Sequence, residues 1–277
     1  MKPRLLGYMC SDDTLTPFAM RSVREEVWPQ EEDRAFETVG FGWLQESRTL
    51  LRKHPSRDEE PVNALGLLCD IPSRTIIGYM GGDGEAGFDT LDLQPFRFRK
   101  WLFAQSGSIP CLEEYRDEIL ADIPDHIRRN VQGRTDAELV VHRFYQRMSE
   151  HDALDGGRPD GEAVAEALAE TLDEFTERSY EAGHEGPLDI NLVAATERLL
   201  IVARLGEPLH YRTFDGIDQP GEDPLFAGHS PRRVEHPHFD GAFLASGLEP
   251  DDDRWHEIER RQIVWIDHSW KAQSLEL

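Results

Sequence analysis

The sequence contains little cysteine, with only three residues of this type among 277. Cys10, Cys69 and Cys111 are odd in number and stand at unrelated spacings. A disulfide framework needs paired cysteines, and a structural zinc site needs closely spaced ligand pairs. The cysteine content therefore argues against both as the basis of the fold.

Long apolar runs are also lacking. No stretch approaches the roughly 20 apolar residues that a membrane-spanning helix requires. The first residues do not contain the apolar core of a signal peptide. We therefore expect a cytoplasmic protein with no membrane association.

Positive charge is scarce, because 30 lysine and arginine residues face 54 aspartate and glutamate residues, for a net charge of -24. Only four of the basic residues are lysines. Nucleic acid is an unexpected partner for such a chain, since phosphate binding requires clustered positive charge. The acidic composition fits a salt-rich cytoplasm, a basic partner protein or simply a solvated surface.

A recognised metal-binding spacing is absent as well. His229, His236 and His238 fall in the segment 215–240, which is rich in proline, glycine and aspartate. Glu235 and Asp240 are near, but no carboxylate or cysteine completes a known ligand pattern around these histidines. We expect them to be solvated, and the sequence predicts neither a metal site nor a cofactor.

What is present is a pattern of strands at both ends of the chain and helices in its middle. The run from Leu5 to Met9 predicts a buried strand entered through Pro3, a position at which strands tolerate proline. Further strands are predicted over 36–44, 48–52, 75–80, 188–194, 199–204, 209–212, 241–246 and 262–266, and helices over 14–28, 112–123, 135–149 and 162–181. This order favours an α+β fold of two antiparallel sheets between helical layers. Nothing in the composition divides residues 1–277, so we predict a single domain.

Three stretches resemble a known enzyme family. Arg4-Leu5-Leu6-Gly7-Tyr8 is similar to the opening of class II glutamine amidotransferases, which belong to the N-terminal-nucleophile hydrolases. The segment 100–109, Lys-Trp-Leu-Phe-Ala-Gln-Ser-Gly-Ser-Ile, resembles the Arg-Trp-Leu-Phe-Ala-His-Asn-Gly-Val-Ile of that family. Gln94-Pro95-Phe96 resembles its His-Pro-Phe. The resemblance covers nearly the whole length and implies a four-layer α-β-β-α sandwich.

The same resemblance implies that three parts of the family's catalytic site are replaced. Pro3 stands where the family has its N-terminal cysteine, and proline offers no nucleophilic side chain. Gly81 stands where an arginine holds the substrate carboxylate. Ser106 replaces the oxyanion-hole asparagine, while Gly107 keeps the backbone donor. Because Pro3 also lies two residues inside the chain, its nitrogen is not expected to be a free amine.

One ligand-binding residue is retained. Asp136 matches the family aspartate that binds the α-ammonium group of the substrate, and we place it at the ligand-binding site together with Arg4 and Gly81. A structural interpretation stays open for it. Thr135-x-x-Glu138 is also the pattern of a capping box, which satisfies unpaired N–H groups at a helix N-terminus.

Three functional hypotheses follow. The first is a glutamine amidotransferase-like protein without glutaminase activity, retained as a binding or regulatory subunit of a synthase or transferase, or as a binder of an amino-acid-like molecule. The second is an enzyme with altered amide-hydrolysing or transfer chemistry that uses Ser106, Cys10 or Asp83. The third is an acidic interaction protein that docks a basic partner.

Overall fold

A computed structural model describes residues 3–27, 38–46, 48–55, 68, 71–81, 91–154, 159–219, 234–250 and 253–277. The strands are β1 (Arg4–Cys10), β2 (Thr38–Gln45), β3 (Arg48–Pro55), β4 (Thr75–Gly81), β5 (Phe96–Phe98), β6 (Trp101–Ser108), β7 (Asp189–Ala195), β8 (Leu199–Arg204), β9 (Leu209–Gln219), β10 (Val234–Ser246), β11 (His256–Glu257), β12 (Gln262–Asp267) and β13 (Ala272–Glu276). The α-helices are α1 (Thr16–Ser22), α2 (Arg24–Val27), α3 (Leu112–Asp122), α4 (Asp125–Arg128), α5 (Asp136–Glu150) and α6 (Gly161–Glu181), and a 3₁₀ turn spans Asp13–Leu15.

The strands form two antiparallel sheets. The first sheet has the spatial order β11-β9-β10-β1-β4-β2-β3, and the second has the order β13-β12-β8-β7-β6-β5. Strand β1 is central in the first sheet, paired with β10 on one side and β4 on the other. Strand β6 lies one position in from the edge of the second sheet, between β5 and β7.

Alternation along β1 shows how the layers are built. Leu5 and Met9 belong to a buried cluster that contains residues of both sheets, such as Leu102. Leu6 and Tyr8, which point to the opposite face, belong to a second cluster with side chains of α1 and α2. A third cluster joins the outer face of the second sheet to α3, α5 and α6. The predicted four-layer α-β-β-α sandwich is therefore confirmed.

Several predicted elements have different bounds in the structure. The helix expected over 14–28 is a 3₁₀ turn followed by α1 and α2, with Pro17 in the first turn of α1, where its missing N–H costs nothing. The strand expected over 209–212 continues to Gln219, and the strand expected over 241–246 begins at Val234. None of the described helices has a segment long and apolar enough to cross a membrane.

A buried ion pair joins α5 to α6. Arg143 donates to both carboxylate oxygens of Glu174, at 2.7 and 2.6 Å, and Arg147 donates to the same carboxylate at 3.1 Å. The Arg143 side chain is only 6% exposed. Burial alone would raise the pKa of Glu174, but the hydrogen bonds and charges of the two arginines hold that pKa below its ordinary value.

Replacing Glu174 by glutamine is expected to destabilise the protein by about 3 kcal/mol at neutral pH, because a buried guanidinium loses its counter-charge. Since the folded pKa of Glu174 is lowered, its contribution is present above about pH 4.3 and is lost as the pH falls through the folded pKa. Urea unfolding of E174Q and wild type across pH 3 to 7 checks this. The matched control is E177Q, an exposed glutamate on the same helix. Equal effects of E174Q and E177Q at neutral pH would contradict the assignment.

Candidate functional site

Strand pairing brings the first two replaced positions together. Arg4 lies opposite Met80 in the β1–β4 ladder, so the same register places Pro3 opposite Gly81. Gly81 is also paired with Thr38 of β2. Because side chains alternate along a strand, Pro3 shares the face of Leu5, which looks toward the second sheet. Both positions therefore lie at one end of the first sheet, beside the space between the sheets.

Contacts between the sheets show which end of the second sheet lies opposite. Thr75 donates its hydroxyl to the carbonyl of Thr196, at 2.9 Å, at the far end of β4. Nearer the middle, a Cβ added at Gly7 would lie 3.1 Å from Val193. From Thr75 toward Gly81 along β4, the facing residues of the second sheet therefore run from Thr196 toward the start of β7. Val193 pairs with Ala104 of β6, and the next residue of β6 that faces the first sheet is Ser106. The fold thus brings Pro3, Gly81 and Ser106 to one end of the sandwich.

The space beside Gly81 is taken by a tyrosine. A Cβ added at Gly81 would lie 2.6 Å from the hydroxyl oxygen of Tyr79 and 2.9 Å from its Cε1. Tyr79 is half-buried and packs against the cluster between the sheets. A side chain at position 81 would therefore require the Tyr79 ring to move. The resemblance predicts a missing arginine at this position, but it does not predict that a tyrosine ring lies beside it.

Ser106 and Gly107, near the end of β6, differ in what their positions require. Ser106 is 8% exposed and pairs with Asn191 of β7, and within the described part of the chain its hydroxyl makes no hydrogen bond. Gly107 has a φ of +80°, and a Cβ there would lie 2.0 Å from the carbonyl oxygen of Asp189. Only glycine fits such a position. The backbone at the predicted oxyanion-hole position therefore requires glycine at residue 107.

Asp136 is bonded to the protein itself. One carboxylate oxygen accepts the N–H of Ile109 at 2.7 Å and the side-chain amide of Gln105 at 3.3 Å, and the other accepts the N–H of Ala137 at 2.7 Å. Burial raises the pKa of this carboxyl despite these bonds. Asp136 therefore fastens the end of β6 to the start of α5, which leaves it at most one acceptor position for a ligand amine.

Only half of the capping box forms. The Thr135 hydroxyl accepts the N–H of Glu138 at 3.2 Å, as the pattern predicts. The Glu138 carboxylate does not accept the backbone N–H of Thr135, which is the second bond of a capping box. It accepts the N–H groups of Gln132 and Gly133 instead, at 2.8 and 2.6 Å, and so fixes the turn before the helix.

Gln94 supports the site in a way that sequence reasoning missed. Its side-chain amide accepts the N–H of Gln105 at 2.6 Å and donates to the Gln105 carbonyl at 2.8 Å, as a neighbouring strand would. Its own carbonyl lies over Gly40, where an added Cβ would be only 1.8 Å away. The resemblance had singled out Gln94-Pro95-Phe96, but it does not show that the Gln94 side chain pairs with the backbone of β6 as a strand would.

Two further candidates lie on the face of β1 that points away from the second sheet. Arg4 falls on the face of β1 opposite to Pro3, and its Nε is 3.1 Å from the position of a Cβ on Gly247. Cys10 is 2% exposed on the same face as Arg4, and its thiol donates to the carbonyl of Asp12. Burial raises the pKa of that thiol, which disfavours the nucleophilic thiolate.

The remaining predicted positions give little geometry. Asp83, Cys69 and His229 lie outside the described residues. His236 and His238 are on β10, and no cluster of three potential metal ligands occurs within the described ranges.

No protein-family model matches the chain, and no curated protein matches it. Solved structures do. A glutamine aminotransferase class-II domain protein from Silicibacter pomeroyi aligns with a TM-score of 0.60 at 15% identity over 99% of both chains. A predicted glutamine amidotransferase from Pseudomonas aeruginosa aligns with a TM-score of 0.55 at 14% identity, over 100% of this chain and 96% of the other.

A third match is longer than this chain. Glutamine phosphoribosylpyrophosphate amidotransferase from B. subtilis aligns with a TM-score of 0.54 at 14% identity, and the chain spans about half of that protein, 49% of its length. At such identities the similarity establishes a shared fold. That fold is the one implied by the resemblance of the three sequence stretches.

Proposed function

We propose that the protein is a class II glutamine amidotransferase-like protein without glutaminase activity that acts as a binding or regulatory subunit. The observation that carries this proposal is the contact between Tyr79 and Gly81. Where the resembled family places an arginine for the substrate carboxylate, this chain has no side chain, and a tyrosine hydroxyl lies 2.6 Å from where one would begin. A glutamine carboxylate would lose the bidentate partner that orients it.

The residue at the nucleophile position supports the same conclusion. Pro3 directly precedes β1 and lies on the face that looks between the sheets, and its ring has no group that can attack a carboxamide. Deleting the nucleophile of a hydrolase lowers turnover on the order of 10⁶-fold. Ser106 adds a further loss, because removing an oxyanion-hole donor costs about 10²-fold or more.

Retention of the framework favours a role for the fold without the reaction. Gly40 and Gly107 remain at positions where any larger residue would collide with a carbonyl oxygen of a neighbouring segment. The partner we propose is a synthase or transferase subunit, and the ligand we propose for the candidate site is an amino-acid-like small molecule. Cys10 is a poor replacement nucleophile, because it is buried on the opposite face of β1.

Incubation of the pure protein with L-glutamine is expected to release no ammonia above a blank without protein. A coupled glutamate dehydrogenase assay measures this release, with an active class II enzyme as the positive control. Any turnover above the blank would overturn the proposal. Loss of that turnover in S106A or in C10A would support the altered-chemistry enzyme and identify its nucleophile.

A further inference from the structure

A basic cleft opens between β3, the edge strand of the first sheet, and β5, the edge strand of the second sheet. It has a volume of about 740 Å³ and lies among β3, the β5–β6 turn and the residues around α4. Its polar side chains include Arg48, Arg97, Arg99, His126, Arg129 and Asn130. The β5–β6 turn precedes Trp101, and Ser106 is five residues further along β6. At about 3.3 Å per residue, the cleft is roughly 17 Å or more from the candidate site.

The charge of the cleft is opposite to that of the chain. Acidic residues outnumber basic ones by 54 to 30 in the whole sequence. Among the described residues that line the cleft there are four arginines and no aspartate or glutamate. Positive side chains gathered in a concave site strengthen the local potential and attract anions. The cleft is therefore a local positive site on an otherwise acidic protein.

Hydrogen bonds hold the walls of the cleft in place. Arg97 donates from Nη1 to the carbonyl of Thr49 at 2.9 Å, and the Thr49 hydroxyl donates to the carbonyl of Arg99 at 3.0 Å. These two bonds tie the edge strand of one sheet to the turn of the other. Arg99 has a φ of +54°, which is uncommon for a residue with a side chain, and its guanidinium carbon lies 5.6 Å from the Phe98 ring centre. Such fixed walls reduce the entropy lost on binding.

Two of the arginines are available to a ligand. Arg48 and Arg129 are exposed, and within the described part of the chain neither has an acidic partner. Arg128, the neighbour of Arg129, is paired with Asp125. The contrast between these adjacent residues shows that α4 neutralises one arginine and leaves the next for the cleft.

We propose that this cleft binds a small molecule that carries two or more phosphate groups. Guanidinium groups match phosphate oxygens bidentately, and several of them on one site suit a compact, multiply charged group. A volume of about 740 Å³ is in the range of small-molecule sites. An extended polyanion such as nucleic acid would be repelled by a chain whose net charge is -24. The proposal does not depend on the presence or absence of glutaminase activity.

Isothermal titration calorimetry of the full chain with inorganic pyrophosphate tests the proposal. We expect saturable binding at low ionic strength that weakens as salt is added. R48Q and R129Q are each expected to weaken it on the order of tenfold, the loss of one charge-assisted hydrogen bond. Both side chains are exposed, so the variants should fold normally, as circular dichroism will show. The matched control is R198Q, an exposed arginine on the β7–β8 turn, which should bind as the wild type does.

Three results would overturn the proposal. The first is an absence of pyrophosphate binding by the wild type at millimolar concentration and low salt. The second is a loss in R198Q equal to that in R48Q and R129Q, which would mean that only overall charge is sensed. The third is tighter binding of a hexaglutamate peptide than of pyrophosphate, which would assign the cleft to acidic peptides.

Discussion

Replacing Gly40 by alanine is expected to destabilise the protein by more than about 4 kcal/mol, or to prevent its folding. A Cβ at this position would lie 1.8 Å from the carbonyl oxygen of Gln94 and 2.9 Å from the carbonyl carbon. The backbone of Gln94 cannot easily withdraw, because its side chain is bonded twice to Gln105, at 2.6 and 2.8 Å. One methyl group would thus separate β2 from the segment that borders the candidate site.

Thermal and urea unfolding followed by circular dichroism measure this effect. The matched control is G186A, because Gly186 is exposed and a Cβ there would meet only the His184 ring, at 3.1 Å. G186A is expected to stay within about 0.5 kcal/mol of wild type. A G40A protein that melts within about 2 °C of wild type would show that Gln94 does not lie over β2 as described.

Installing a cysteine at position 3 is expected to give a reactive thiol without restoring glutamine hydrolysis. In a chain trimmed so that this cysteine is the first residue, P3C supplies both a nucleophile and a free amine. Position 81 would still lack an arginine to hold the substrate carboxylate, and the Ser106 hydroxyl would still be shorter than the carboxamide it replaces. These two deficits correspond to about 10³-fold or more in turnover, judged from charge-assisted hydrogen bonds and oxyanion-hole donors elsewhere.

Iodoacetamide labelling and ammonia release measure the two parts of this prediction separately. The informative comparison is trimmed P3C alone against trimmed P3C with G81R, S106N and Y79A, where the last change removes the ring that occupies the space beside position 81. We expect ammonia release to rise in the combined variant. If trimmed P3C alone hydrolyses glutamine as fast as an active class II enzyme, then Gly81 and Ser106 are not deficits, and the account of the site is wrong.

Much of the fold follows from the sequence, because buried strands and amphipathic helices produce strong periodic patterns. The apolar run from Leu5 to Met9 predicted a buried strand, which is the central strand of the first sheet, and 199–204 was predicted with the bounds that the structure shows. The strands that escaped prediction are short or polar, such as Phe96–Phe98 and Ala272–Glu276 at the edges of the second sheet. Edge strands bury little, so their composition carries little signal.

The site was predictable only as a set of replaced positions. The resemblance implies that Gly81 stands where the family has an arginine, but only packing shows that the Tyr79 ring lies in the space beside Gly81. The role of Asp136 depends likewise on Ile109 and Gln105, which lie 27 and 31 residues away in sequence. The basic cleft was invisible for the same reason, since its arginines come from separate segments that only the folded chain brings together.

The central claim is that the glutamine site of this fold has lost its reaction, and intact-mass spectrometry after incubation with an electrophilic glutamine analogue tests it most directly. Such an analogue alkylates the nucleophile of an active class II enzyme, which serves as the positive control. The account predicts an unchanged mass, because Pro3 has no nucleophilic group and Cys10 is buried with a raised thiol pKa. A stoichiometric adduct would contradict it, and peptide mapping would then identify the residue that reacts.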